Sequence, residues 1–204
     1  RSLTVDLENP RDQIRSHGRW IMSGLRKDLG PDWDPASMPA WLVDWPGRID
    51  LRARRDRMRL EAEIRTHRPE LVVIGPLYRS FRRRSSESEE EAVGEVTEIL
   101  DDLRVRYGLT MLFEHHAPHA SGGKRDMRPT GSSYWLRWPE VGLSLEKEKV
   151  LPGAPVRYKL GRWRGDRVKA SWPEFLEWGR EYPFTGVYGT GVLNKQGGHD
   201  DEPF

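Results

Sequence analysis

No cysteine occurs in the 204 residues. Disulfides and thiolate-ligated metal centres are therefore excluded, and the chain suits a reducing compartment. No apolar run approaches the roughly 20 residues of a membrane-spanning helix, and no signal-peptide pattern opens the chain. The expectation is a soluble, cytoplasmic protein without a membrane partner. No internal repeat is present. An excess of one charge sign is missing too, because 34 Lys and Arg against 32 Asp and Glu leave a formal net charge of +2. A nucleic-acid partner must then be argued from local clusters, not from bulk charge. The first residue is Arg1, not methionine, and Leu3-Thr4-Val5 already reads as strand. We expect a processed chain or a fragment with a segment upstream.

What is present is a composition for real packing. Hydrophobic residues at 36%, charged residues at 32% and nine tryptophans describe a folded domain with a heavily charged surface. The length accommodates one α/β domain with an appendage. At its centre lies Leu71-Val72-Val73-Ile74-Gly75-Pro76-Leu77-Tyr78, a β-branched run of the kind found in strands buried on both faces of a parallel sheet. The polar residues 66–70 precede it, and Arg79, Arg82, Arg83 and Arg84 follow.

Around that strand the remaining elements fall into order. Residues 2–7 predict a strand ending at Glu8. Asn9-Pro10 predicts an N-cap followed by proline in the first helical position, with Ile14, Ile21, Met22, Leu25 and Leu29 at helical spacing and Gly30-Pro31 as the stop. Residues 41–45 predict a strand and 50–66 an arginine-rich helix. Residues 86–107 predict a helix with Ala92, Val93, Val96, Ile99, Leu100 and Leu103 on one stripe, and 109–113 a further strand. Residues 140–146 and 155–162 predict strands, the latter pairing with 166–170. Ser171-Trp172-Pro173-Glu174 predicts a capped helix over 172–181, and 183–204 a mobile tail. The expected organisation is a core over 1–150, a hairpin and helix over 151–182, and the tail over 183–204.

Alternating strands and helices predict an α/β fold with a mostly parallel sheet flanked by helices and antiparallel strands near the C-terminus. Ligands in such sheets gather beyond the carboxyl ends of the strands. Three places qualify: Glu8, Gly75 to Arg79, and Glu114 to His119. Because Glu114, His115, His116 and His119 cluster, metal binding is one reading of the third, but Pro118 breaks the helix that would place His115 and His119 on one face. Loop histidines without a chemical role are another.

The ordered set Asp6-Leu7-Glu8, Pro69 to Leu77, Glu114-His115-His116-Ala117-Pro118-His119, Arg128-Pro129-Thr130-Gly131-Ser132-Ser133 and Leu136-Arg137-Trp138 resembles RecA-fold P-loop ATPases. The closest resemblance is to the RepA-like group of hexameric helicase-type proteins, over roughly residues 1–150. That resemblance implies ATP and Mg2+ as cofactors, DNA as partner and a homo-oligomeric, hexameric ring. It implies that Glu8 polarises the attacking water, that His115 or His116 senses the γ-phosphate, and that Gly75 and Pro76 belong to the second phosphate motif. Arg137 resembles an arginine finger, with a surface salt bridge as its plain alternative. Lys124, Arg125 and Arg128 resemble a basic loop for phosphate-backbone contact, with a solvated loop as the alternative.

Two departures stand out. The family's aspartate that organises magnesium is replaced by Gly75, and no G-x-x-x-x-G-K-[ST] loop is present. A P-loop upstream of Arg1 is the expectation, and a non-hydrolysing nucleic-acid or partner-binding module is the alternative function.

Overall fold

The computed structural model describes residues 1–45, 47, 49–117, 131–149, 151–165, 172–179 and 184–188. Two four-stranded sheets organise them. In the first, β1 (Ser2–Asp6), β2 (Ala40–Asp44), β3 (Leu71–Gly75) and β4 (Thr110–Phe113) lie in the order β2-β1-β3-β4, and all neighbours are parallel. Helices α1 (Arg11–Leu29), α2 (Arg54–His67) and α3 (Glu89–Tyr107) make the crossovers. The mostly parallel α/β sheet flanked by helices is thus present.

Strand alternation explains the core. Leu3 and Val5 of β1 stand in register with Val72 and Ile74 of β3, and all four are fully buried. The helical spacing of α3 supplies the cover, since Ala92, Val93, Val96, Leu100 and Leu103 are buried while the opposite side of the helix is polar. Its start is a capping box, in which the Glu91 N–H donates to Ser88 Oγ and the Ser88 N–H to Glu91 Oε2. Its end is Gly108 in the left-handed region at φ 64°, where a residue with a Cβ is disfavoured.

The central strand differs from expectation. Leu71 and Val73 are only half-buried, and on the same face Leu112 is 57% exposed. One face of β3 is sealed and the other is partly open, because α1 buries only Gly24. Helix α1 also starts one residue late. Asn9 does not cap it; its Nδ2 donates back to Asp6 Oδ2 at 2.9 Å, and Pro10 takes the cap position without a side-chain bond.

The second sheet is antiparallel, with β5 (Gly142–Lys147), β6 (Arg157–Arg164), β7 (Phe175–Trp178) and β8 (Phe184–Val187) paired in chain order. The helix predicted over 172–181 is therefore wrong, as is the tail beginning at 183, since 184–187 pair with β7. A capping motif contributes on the order of 1 kcal/mol, and a helix this short is marginal in isolation. Pairing on both edges of β7 outweighs it. The predicted strand 166–170 lies outside the described residues. No described helix is long and apolar enough to cross a membrane.

Arg52 belongs to the arginine-rich stretch 50–66, yet its side chain is 1% exposed. Its Nη1 donates to Glu87 Oε1 at 2.8 Å and lies 3.5 Å from Glu95 Oε2, which ties the entry of α2 to α3. Arg84 reaches the same two glutamates, at 3.9 and 3.7 Å, from an exposed position. Removing the buried partner of an ion pair costs about 3–5 kcal/mol, and an exposed one under about 1 kcal/mol. Urea unfolding followed by tryptophan fluorescence should therefore show Arg52→Ala far more destabilised than Arg84→Ala; equal losses would contradict the buried assignment. On the sheet, Ile74→Ala should cost about 2–5 kcal/mol and Leu112→Ala markedly less, measured the same way.

Candidate functional site

The carboxyl ends of β1, β3 and β4 are joined by backbone bonds that continue past the ladder. The Leu7 N–H donates to the Gly75 carbonyl at 2.8 Å, the Glu114 N–H to the Ile74 carbonyl at 3.1 Å, and the Leu77 N–H to the Glu114 carbonyl at 2.8 Å. The Gly75–Pro76 peptide is cis, and a single 3-10 turn (Leu77–Arg79) follows. At β1 the turn is built by Asp6, whose Oδ1 accepts from the N–H groups of Glu8 and Asn9 at 2.9 and 2.8 Å. These local structures aim Glu8, Tyr78, Arg79, Glu114 and His116 at one another.

Glu8 is the hub. Its Oε1 accepts from the Tyr78 hydroxyl at 2.9 Å and from Arg79 Nη2 at 3.3 Å, while its Oε2 lies 3.7 Å from His116 Nε2. His116 Nε2 is in turn 3.5 Å from Glu114 Oε1, and its ring lies 5.3 Å from that of Tyr78. Arg79 also donates to the Tyr78 hydroxyl and to the Leu7 carbonyl, at 3.2 and 3.5 Å. Nitrogen-bearing side chains and carboxylates therefore alternate in the order Arg79, Glu8, His116, Glu114, with Tyr78 bracing the first pair. All are half-buried or exposed, so the cluster is open to a ligand.

The two histidines part company. His116 faces Glu8, whereas His115 sits 5.5 Å from the Trp135 ring with its Nδ1 2.9 Å from the His116 carbonyl oxygen. Burial pushes the His115 imidazole below its usual pKa, since the charged form is the one penalised by loss of water.

Of the residues proposed from sequence, Glu8 and His116 are brought together, and Gly75 lies directly beneath Glu114. Pro76 is buried beside it and has no N–H to offer a phosphate. Arg137 is on the one-turn helix α4 (Tyr134–Arg137); among the described residues its partners are Ser133, at 2.6 Å, and the Tyr134 ring, not Glu8 or His116. Lys124, Arg125, Arg128 and His119 lie outside the described residues. Among those described, no group of three or more His, Cys, Asp or Glu side chains is arranged to hold a metal ion.

Sequence reasoning included Tyr78 and Arg79 in the 75–79 stretch at a strand end but gave neither a role. The available signal was positional, since both follow the Gly-Pro step at a strand's carboxyl end; their bonds to Glu8 depend on a segment about 70 residues away.

A family model described as AAA domain matches residues 1–122, which covers β1 to β4 and the whole Glu8 cluster. No curated protein matches the chain. The matched region is more than half of the chain and contains the whole parallel sheet, so this protein belongs to the AAA domain family.

Proposed function

We propose that the chain is part of a RepA-like, ATP-driven motor that acts on DNA as a ring of identical cytoplasmic subunits, with the Glu8 cluster at the nucleotide. The observation that carries the reading is the meeting of Glu8 and His116. They are separated by more than a hundred residues in the chain, yet lie 3.7 Å apart at the carboxyl ends of β1 and β4. This is where an α/β sheet receives its ligand.

In this reading Glu8 orients the attacking water and takes its proton. Its Oε1 is held by Tyr78 and Arg79, so Oε2 is the atom presented to the reaction. The geometry is fixed before the ligand arrives, which is what a positioned base requires. His116 stands next to that oxygen and donates from Nε2 to a phosphate oxygen, while its contact with Glu114 couples occupancy of the site to β4. Magnesium bound with the nucleotide supplies charge neutralisation at the phosphates. Arg137 on α4 and the basic residues Lys124, Arg125 and Arg128 are assigned by resemblance to a neighbouring subunit's nucleotide and to the DNA backbone. A second reading, a module that binds DNA or a partner without hydrolysis, draws on Gly75 in the aspartate position.

The chain by itself is not expected to be competent for hydrolysis, so ATP hydrolysis by the full-length protein, with and without single-stranded DNA, tests the choice. Glu8→Gln keeps the shape of the side chain but removes the base, and is expected to lower turnover about 10²- to 10⁴-fold while a fluorescent ATP analogue still binds. Turnover unaffected by the substitution would remove Glu8 from the mechanism. Salt-dependent DNA binding without any nucleotide binding would favour the second reading.

A further inference from the structure

The glycine at position 75 is not demanded by its backbone. Gly75 is absent from the glycines with positive φ, so an ordinary residue could adopt its conformation. The constraint is space. A Cβ built on Gly75 would fall 2.6 Å from Glu114 Oε2 and 2.8 Å from Glu114 Cβ, closer than non-bonded atoms approach. The volume that a side chain at 75 would need is filled by the side chain of Glu114, reaching over from β4.

Glu114 is held there from both sides, its N–H donating to the Ile74 carbonyl and its carbonyl accepting from the Leu77 N–H. Its side chain is nevertheless 59% exposed, so its carboxylate is within reach of a ligand. The other acidic group of the cluster, Glu8, is linked to it through His116 Nε2, at 3.7 and 3.5 Å.

We propose that Glu114, seated on Gly75, supplies the carboxylate that organises the magnesium of a bound Mg-nucleotide, in place of the aspartate that Gly75 replaces. The proposal rests on the nucleotide-binding reading above and adds the residue that serves its metal. The donor set suits the ion. Magnesium takes oxygen ligands, retains several waters and needs only one or two carboxylates beside the phosphates. A site of that kind takes its remaining ligands from the phosphates and water. The acidic group is then supplied from the adjacent strand, and glycine at 75 leaves the room that Glu114 fills.

Two titrations on the full-length protein test this. One follows a fluorescent ATP analogue without metal. The other follows Mn2+, as a paramagnetic stand-in for magnesium, by the loss of its free electron-resonance signal in the presence of a non-hydrolysable ATP analogue. Wild type is expected to take up Mn2+ only with the nucleotide. Glu114→Gln should weaken that uptake by at least the roughly tenfold that even an outer-shell partner commands, with metal-free nucleotide binding retained. The double variant Gly75→Asp with Glu114→Gly moves the carboxylate back, frees the space for it, and should restore Mn2+ uptake. Wild-type Mn2+ uptake by Glu114→Gln, with nucleotide bound, would overturn the proposal and leave Glu114 as a packing residue. Failure of wild type to bind the fluorescent analogue at all would instead overturn the nucleotide-binding reading, and this assignment with it.

Discussion

The register of β1 against β3 is the constraint on which the rest of the molecule depends. Asp6 stands opposite Gly75 and Val5 opposite Ile74, and the Leu7 N–H extends the ladder to the Gly75 carbonyl. A slip of one residue would turn Leu3 and Val5 to the open face and bring Thr4 into the core. It would also carry Glu8 away from Tyr78 and Arg79. Burial of four fully enclosed β-branched and leucine side chains therefore sets the position of a polar cluster none of whose members is buried. The free energy comes from apolar area, about 25 cal/mol per Å², and the chemistry takes its geometry from it.

The contrast between Arg52 and Arg79 shows two uses of the same side chain. Arg52 is enclosed and its counter-charges come from the segment before α3 and from α3 itself, so its bonds hold elements together. Arg79 is half-exposed and bonds Tyr78, Glu8 and the Leu7 carbonyl. Ion pairs in that setting contribute at most about 1 kcal/mol to stability. The Arg79 contacts serve to orient Glu8, not to hold the fold.

The second sheet lies beyond residue 122, where the family match ends. It meets α1 through Trp20 against Trp178, with ring centroids 5.1 Å apart, and α4 through Arg164 donating to the Leu136 carbonyl at 3.2 Å. Its outer positions include the half-exposed Leu145, Trp178 and Phe184. In this sheet the local signal and the structure part at 175–178, where pairing with β6 on one edge and β8 on the other outweighs the capping motif.

Periodicity and punctuation in the sequence were enough for the parallel sheet, its crossover helices and the places where the strands end. Each of these is governed by interactions within a few residues: the β-branched run at 71–74, the Ser88–Glu91 box, the glycine at 108. That Glu8 and the histidines at 115 and 116 lie at strand ends was legible for the same reason. Only the tertiary structure decided that His116 and not His115 faces Glu8, that Arg79 is bound and not a free surface cation, that 175–178 is a strand, and that Glu114 fills the space above Gly75. Each of those facts depends on two segments meeting across tens of residues, and the identity of the partner is written in neither segment alone.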